Sequence, residues 1–238
     1  MKNSPHTQPD FSHISDWVFD LDNTLYPPSC ALFTQIDARM RSFISELLGV
    51  DGDEAYRLQK QYFREHGTTL SGLMKVHNIA PAAFLDHVHD LDVSVIPQNQ
   101  ALGEVLARLP GRKLVFTNGT VAHAERVLGR LGFAHVFDDI FDIVHADYHP
   151  KPRPESFSRF MDRHGIRAAG AVMFEDLARN LAPAHELGMT TVLVRSEDGH
   201  GDPAVRSWGD PGHEADHVHY HTDDLAGFLR NVRVRSET

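Results

Sequence analysis

From residue 98 to residue 194 the chain switches repeatedly between helical periodicity and short apolar runs rich in β-branched residues. Helices are predicted at 98–109, 121–131, 154–164 and 178–187. Each precedes a predicted strand, at 113–117, 140–144, 171–174 and 190–194. This alternation admits few folds. Strand–helix–strand units build a parallel sheet through right-handed crossovers, with helices on both faces. The expected fold class is α/β, with a doubly wound, Rossmann-like, mostly parallel sheet. In such sheets ligands sit beyond the carboxyl ends of the strands, where the strand order reverses.

An earlier strand is predicted at 16–22, where Trp17-Val18-Phe19 runs into the carboxylates Asp20 and Asp22. Helical spacing then takes over. Phe33, Ile36, Met40, Phe43, Ile44 and Leu47 share one face, and Gly49 is a plausible stop. Further helices are predicted at 53–65, 69–77 and 81–89, with no convincing strand before residue 93. The expected organisation is a disordered lead at 1–12, a core from 13–27 and 96–238, and an all-α cap at 28–95. Residues 195–214, rich in Gly, Pro, Asp and His, read as a mobile loop. A last strand is expected at 216–221, and a short helix at 223–229 capped by Thr222.

Composition narrows the partners. The formal net charge of -10, from 23 Lys+Arg against 33 Asp+Glu, argues against nucleic acid and anionic membranes. It leaves room for an anionic small molecule in a local basic pocket. The lone Cys30 can form no intramolecular disulfide, no apolar run is long enough to span a bilayer, and the first residues lack a signal-peptide core. The expectation is a cytoplasmic monomer or homodimer acting on a small phosphorylated metabolite. Cys30 is expected to pack at the hinge between core and cap.

Four polar clusters follow predicted strands: Asp20 to Thr24, Thr117-Asn118-Gly119, Lys151-Pro152, and Glu175-Asp176 with Asn180. On a regular strand, Asp20 and Asp22 share a face. Asp176 arrives from another strand. Three carboxylates in one crevice repel one another unless a proton or a cation intervenes, and a hard dication such as Mg²⁺ suits oxygen ligands and a phosphate. Thr117, Asn118 and Gly119 offer a hydroxyl and backbone N–H groups before a helix, a site for phosphate oxygens. Lys151 adds a point charge. The set suits phosphoryl transfer.

With these residues in order, the chain resembles the haloacid dehalogenase-like hydrolase superfamily from about Asp16 to Leu229. Asp20-Leu21-Asp22-Asn23-Thr24 matches its first motif, Thr117 the second, Lys151 the third, and Glu175-Asp176 with Asn180 the fourth. The resemblance implies that Asp20 is the nucleophile of an aspartyl-phosphate mechanism. Asp22 would protonate the leaving oxygen and later activate water. Thr117 would hold the phosphate, with Lys151 neutralising it and steadying the nucleophile. Mg²⁺ would bind Asp20, the backbone carbonyl of Asp22, and Asp176, with Glu175 holding a bound water. Dehalogenases of the superfamily lack the second Asp, so Asp22 implies a phosphatase. Asp20 to Pro28 (DLDNTLYPP) and the helical insert are similar to the pyrimidine 5′-nucleotidase branch. Glu175, Leu177 and Arg153 depart from its usual pattern. A pyrimidine nucleoside 5′-monophosphate is the expected substrate. A sugar phosphate, phosphoglycolate or a flavin mononucleotide is the alternative, ahead of a non-catalytic relative that binds a metal or a partner, or a dehalogenase.

Other residues are read more plainly. His217, His219 and His221 alternate along the last predicted strand. They read as the polar side of an edge strand in preference to a transition-metal site. His123 reads as a helix-surface histidine and Arg179 as solvated, while Arg153 divides evenly between substrate contact and surface charge. In the cap, Phe33, Met40, Phe43 and Phe63 read as bundle core. Tyr62, Arg64, His66 and Lys75 are candidates for substrate contact.

Overall fold

The strands are short and apolar because both faces of their sheet are covered. The protein, described here from a computed structural model over residues 8–195 and 215–235, has six parallel strands. These are β1 (Asp16–Phe19), β2 (Arg112–Phe116), β3 (Asp139–Phe141), β4 (Ala171–Glu175), β5 (Thr190–Val194) and β6 (Tyr220–Thr222). Their order is β3-β2-β1-β4-β5-β6. Side chains alternate across the sheet, as the two-residue period of a strand requires. Trp17, Phe19, Val115, Val172, Phe174 and Val192 face one apolar cluster. Val18, Leu114, Phe116, Met173 and Leu193 face the other. Helices α5 (Gln100–Arg108) and α6 (Val121–Leu131) cover the first face. Helices α7 (Pro154–His164) and α8 (Ala178–Glu186) cover the second.

The chain leaves β1 for β2 on one side and returns from β3 to β4 on the other. The strand order therefore reverses at the β1–β4 pair, and their carboxyl ends flank the crevice where ligands bind in such sheets. Phe19 pairs with Phe174, and the N–H of Asp20 donates to the carbonyl of Phe174 at 2.9 Å. Asp20 and Glu175 thus leave adjacent strands side by side. The Phe19 and Phe174 rings stack at 4.7 Å beneath them.

Between β1 and α5 the four cap helices are α1 (Leu32–Leu48), α2 (Gly52–His66), α3 (Thr69–His77) and α4 (Pro81–Val88). Local signals set their ends. Asp51 accepts from the N–H groups of Asp53 and Glu54, and Thr68 accepts from that of Ser71. Gly49 closes α1 in the left-handed region. Cys30 lies in a single turn before α1 and is partly buried against the main core. The return path is clamped to α6, where Arg126 donates to the carbonyls of His89 and Leu91, and Arg130 to that of Ser94.

Several expectations shift. Asp10 to Ser12 do not belong to a disordered lead, since buried Phe11 donates its N–H to Arg233 at 2.8 Å and packs on Trp17. Residues 1–7 lie outside the described residues, as does nearly all of the loop expected at 195–214. Strand β1 ends at Phe19, so Asp20 and Asp22 occupy a turn and take different partners. Strand β3 stops at Phe141 because the Asp142 carboxylate accepts from Val121 and His145 and turns the chain. The last strand is Tyr220–Thr222. Before it, the His217 ring bonds the Ala178 carbonyl and that of His219 bonds Thr191. These histidines are therefore not aligned along one strand, and no metal-holding group among the described residues includes them. The final helix α9 (Leu225–Arg230) is capped by Asp224, not Thr222. Among the described residues no helix is long and apolar enough to cross a membrane.

Gly111 shows how tightly the sheet is built. Its φ is +80°, and a Cβ there would stand 2.2 Å from the Ser15 carbonyl oxygen, which also accepts from the Arg112 N–H. Left-handed strain and a rigid backbone clash then add. Gly111→Ala is expected to lower unfolding free energy by about 3 kcal/mol, read as a fall in the urea midpoint at unchanged m. A fall below about 0.5 kcal/mol, the scale of a neutral surface change, would refute the clash.

Candidate active site

Lys151 organises the crevice. It is 1% exposed, and its ammonium donates to Asp20 Oδ1, Glu175 Oε2 and the Phe116 carbonyl, each at 2.7 Å. An ammonium has three donors, so all are used. Burial opposes its charge, but Asp20 and Glu175 outweigh that and raise its pKa. Asn118 holds the lysine's backbone. Its side-chain amide donates to the Lys151 carbonyl at 3.2 Å and accepts from the Lys151 N–H at 2.8 Å.

Asp20 Oδ2 accepts from the Thr24 hydroxyl at 3.0 Å. Burial and the Glu175 carboxylate raise the Asp20 pKa to about 7, against the pull of Lys151. Asp176 is pushed well above its ordinary value by burial, Glu175 and Asp20. One oxygen each from Asp20, Glu175 and Asp176 lie within 4.8 Å of one another. One ammonium cannot neutralise three carboxylates, so the trio must hold a proton or a cation. Asn180 is 4% exposed, and its Oδ1 has no partner beside this trio in the cleft. An all-oxygen, net-negative donor set with an unused carbonyl fits a hard dication such as Mg²⁺.

Asp22 is built differently. Its Oδ1 accepts from the Tyr26 hydroxyl at 2.6 Å and from His123 Nε2 at 2.9 Å. Burial raises its pKa, but these donors and nearby His89 more than reverse that and lower it. An ionised carboxylate only accepts, so His123 carries its proton on Nε2. His123 is 1% exposed, not the surface histidine expected from sequence. The His89 ring, at the end of α4, stacks on it at 4.5 Å, and burial together with His123 lowers the His89 pKa to about 3. The aspartate's other oxygen is left for a ligand.

Thr117 Oγ1 accepts from the Gly119 N–H at 2.9 Å. That backbone donor is engaged locally, and the hydroxyl proton remains for a ligand. Thr117, Asn118 and Gly119 line the same cleft as Asp20, Asp22, Lys151, Glu175, Asp176 and Asn180. All nine residues singled out for chemistry therefore converge.

The cap forms the opposite wall, with different residues from those expected. Phe33, Met40 and Phe63 line the cleft, while Phe43 stays inside the cap against Phe84. Tyr62 bonds His77 at 2.6 Å, and Arg64 and Lys75 are exposed. None of these, nor His66, lines the cleft. Arg179 does, with its guanidinium 4.3 Å above the Phe63 ring across the core–cap boundary. Arg153 is exposed at the start of α7.

A lysine-clamped carboxylate cluster at the switch point of a doubly wound sheet, roofed by a helical cap, defines a capped α/β enzyme. The chain belongs to the haloacid dehalogenase-like hydrolases, whose family model matches residues 18–188. It is 32% identical over 199 residues to "Phosphate metabolism protein 8" of Saccharomyces cerevisiae, covering 76% of this chain and 62% of that protein. It is 27% identical over 201 residues to "Glyceraldehyde 3-phosphate phosphatase" of Methanocaldococcus jannaschii, covering 74% and 83%. The fold is shared with a phosphatase of the same superfamily from Thermococcus onnurineus (TM-score 0.61, 20% identity, 93% and 100% covered). It is also shared with an L-2-haloacid dehalogenase from Xanthobacter autotrophicus (TM-score 0.57, 15% identity, 91% and 97% covered).

Proposed function

We propose that this protein is a Mg²⁺-dependent phosphomonoesterase with a pyrimidine nucleoside 5′-monophosphate as its preferred substrate. The observation that carries the chemistry is the Lys151 ammonium, fixed at 2.7 Å on Asp20 beside Glu175 and Asp176. Asp20, Asp176 and the backbone carbonyl of Asp22 would hold the cation, with Glu175 and Asn180 in support. Bound there, Mg²⁺ supplies positive charge against the phosphoryl oxygens.

The side chains divide the work. Lys151 holds the Asp20 carboxylate in place for attack on phosphorus. As the Asp20–phosphorus bond forms, the bond to the ester oxygen breaks, and that oxygen takes the proton that Asp22, ionised in the free protein, has accepted from the bound phosphate monoanion. The Thr117 hydroxyl donates to a phosphoryl oxygen. Asp22, now ionised and steadied by His123 and Tyr26, takes a proton from water. The hydroxide attacks phosphorus, the Asp20–phosphorus bond breaks, and phosphate leaves. Asp22 has no part in halide departure, and its setting between Tyr26 and His123 favours ester hydrolysis over dehalogenation.

The apolar cap wall of Phe33, Met40, Phe63 and Leu70 favours a flat, weakly polar leaving group. Relatives named for glyceraldehyde 3-phosphate and fructose 1-phosphate support the broader phosphatase reading and make sugar phosphates the competing substrates. Turnover of UMP, CMP, ribose 5-phosphate, phosphoglycolate and flavin mononucleotide decides between them. UMP and CMP are expected to lead in kcat/KM. EDTA is expected to abolish all turnover, and added Mg²⁺ to restore it. Turnover that persists after chelation would overturn the metal assignment, and a sugar phosphate ahead of both nucleotides would overturn the substrate.

A further inference from the structure

The cap wall carries one buried polar group with an unused acceptor. Gln59, on α2, is 2% exposed and lines the cleft. Its Nε2 donates to Asp37 Oδ1 at 2.9 Å, and the Lys60 ammonium donates to the same oxygen at 2.6 Å. Lys60 is 7% exposed, and the Asp37 side chain 13%. An ammonium can only donate, so the Asp37 oxygen that Lys60 meets is an acceptor, and it takes the amide's NH₂ group as well. This fixes the amide with its NH₂ group toward Asp37 and its carbonyl away from it. Gln59 Oε1 has no hydrogen-bond partner. A buried carbonyl left this way is costly unless a ligand satisfies it.

We propose that Gln59, oriented by the Asp37–Lys60 pair, determines specificity by accepting a hydrogen bond from an N–H at the ring edge of the leaving group. The proposal rests on the nucleotide reading above and identifies the side chain that reads the base. Phe33, Met40, Phe63 and Leu70 make this part of the cleft apolar, so it favours a planar ring with an N–H at its edge. Uracil offers its imide N–H there and cytosine its neighbouring amino group. A sugar phosphate would place hydroxyls against the same apolar side chains. Asp37 is a positioning residue, because its carboxylate acts through the amide.

The test compares UMP with 3-methyluridine 5′-monophosphate, which lacks the imide N–H, on the whole protein with Mg²⁺. The methyl group is expected to lower kcat/KM about 10- to 100-fold in the wild type. In Gln59→Met, whose side chain has similar volume and no amide, the UMP to p-nitrophenyl phosphate ratio of kcat/KM should fall by a similar factor. The methyl group should then cost little further. Asp37→Asn, which lets the amide turn, should lower the same ratio. Wild-type preference for nucleotides with no response to the methyl group or to Gln59→Met would overturn the proposal alone. A wild type that favours ribose 5-phosphate over UMP would overturn the nucleotide reading and this inference with it. The methylated substrate needs no variant, so the outcome stands even if Gln59→Met fails to fold.

Discussion

Asp20→Asn is expected to remove turnover while leaving the fold as stable as before, or more so. The amide matches the carboxylate in shape but is a far weaker nucleophile, and loss of a covalent nucleophile lowers kcat by about 10⁴-fold or more. Stability should move the other way. Asp20 is buried, repelled by Glu175, and raised to about 7 from an ordinary 3.8. A carboxyl raised in the folded state destabilises it above the unfolded pKa, and the penalty grows until the folded pKa is reached. Replacing it removes that penalty at neutral pH. Lys151 keeps Glu175 and the Phe116 carbonyl as partners. Activity and chemical unfolding, measured together without Mg²⁺ for the latter, check both halves. Acid quenching of the wild type should also trap a phosphate adduct on Asp20. Retained turnover in the variant would refute the nucleophile assignment.

Lys151→Met is the second large effect, and it strikes stability as well as activity. Deleting one partner of a buried ion pair costs about 3–5 kcal/mol, because the other charge is left uncompensated. Here two carboxylates, Asp20 and Glu175, lose the same ammonium. The loss should depend on pH. Below about 7 Asp20 is protonated in the folded protein, and the missing lysine costs less. As pH rises through about 7 and above, Asp20 ionises beside the ammonium in the wild type but without it in the variant, so the deficit grows. Urea unfolding without metal at pH 5 and pH 8 should show the larger gap from wild type at pH 8. A gap equal at both values would mean that Lys151 contributes packing alone. Catalytic loss should persist with saturating Mg²⁺, since Asp20 would no longer be held for attack.

The catalytic side of the cleft was largely legible in the sequence. Strand and helix periods located the carboxyl ends of β1, β2 and β4, and chemistry-bearing residues stood at each. The topology of such sheets then brings those ends together, whatever the surrounding detail. Short strand ends were less legible. Asp142 terminates β3 by accepting backbone N–H groups, and β6 begins only at Tyr220 because the rings of His217 and His219 are bonded elsewhere. Local alternation does not reveal such competing hydrogen bonds.

His123 marks the boundary. Its place one turn into the helix after Thr117 was readable, but helical spacing gives only which residues share a face. Whether that face meets solvent or Asp22 depends on how α6 packs. Arg179, His89, Gln59 and Lys60 were unreadable for the same reason. Each lies on a helix or at a helix end whose rotation is set by neighbours distant in sequence. Phe33, Met40 and Phe63 looked like cap interior because an apolar residue is equally suited to a core and to an apolar cleft wall.

By itself, then, the sequence determined the alternating core, the inserted helices and the identity of the residues at the strand ends, since these follow from local periodicity and connectivity. Only the tertiary structure decided the partner of each carboxylate. It put Lys151 on Asp20 and Glu175, His123 on Asp22, and Gln59 toward the cleft with its carbonyl unused. Those pairings span long stretches of chain, and hydrogen bonds and buried charges depend on distances that no local pattern encodes.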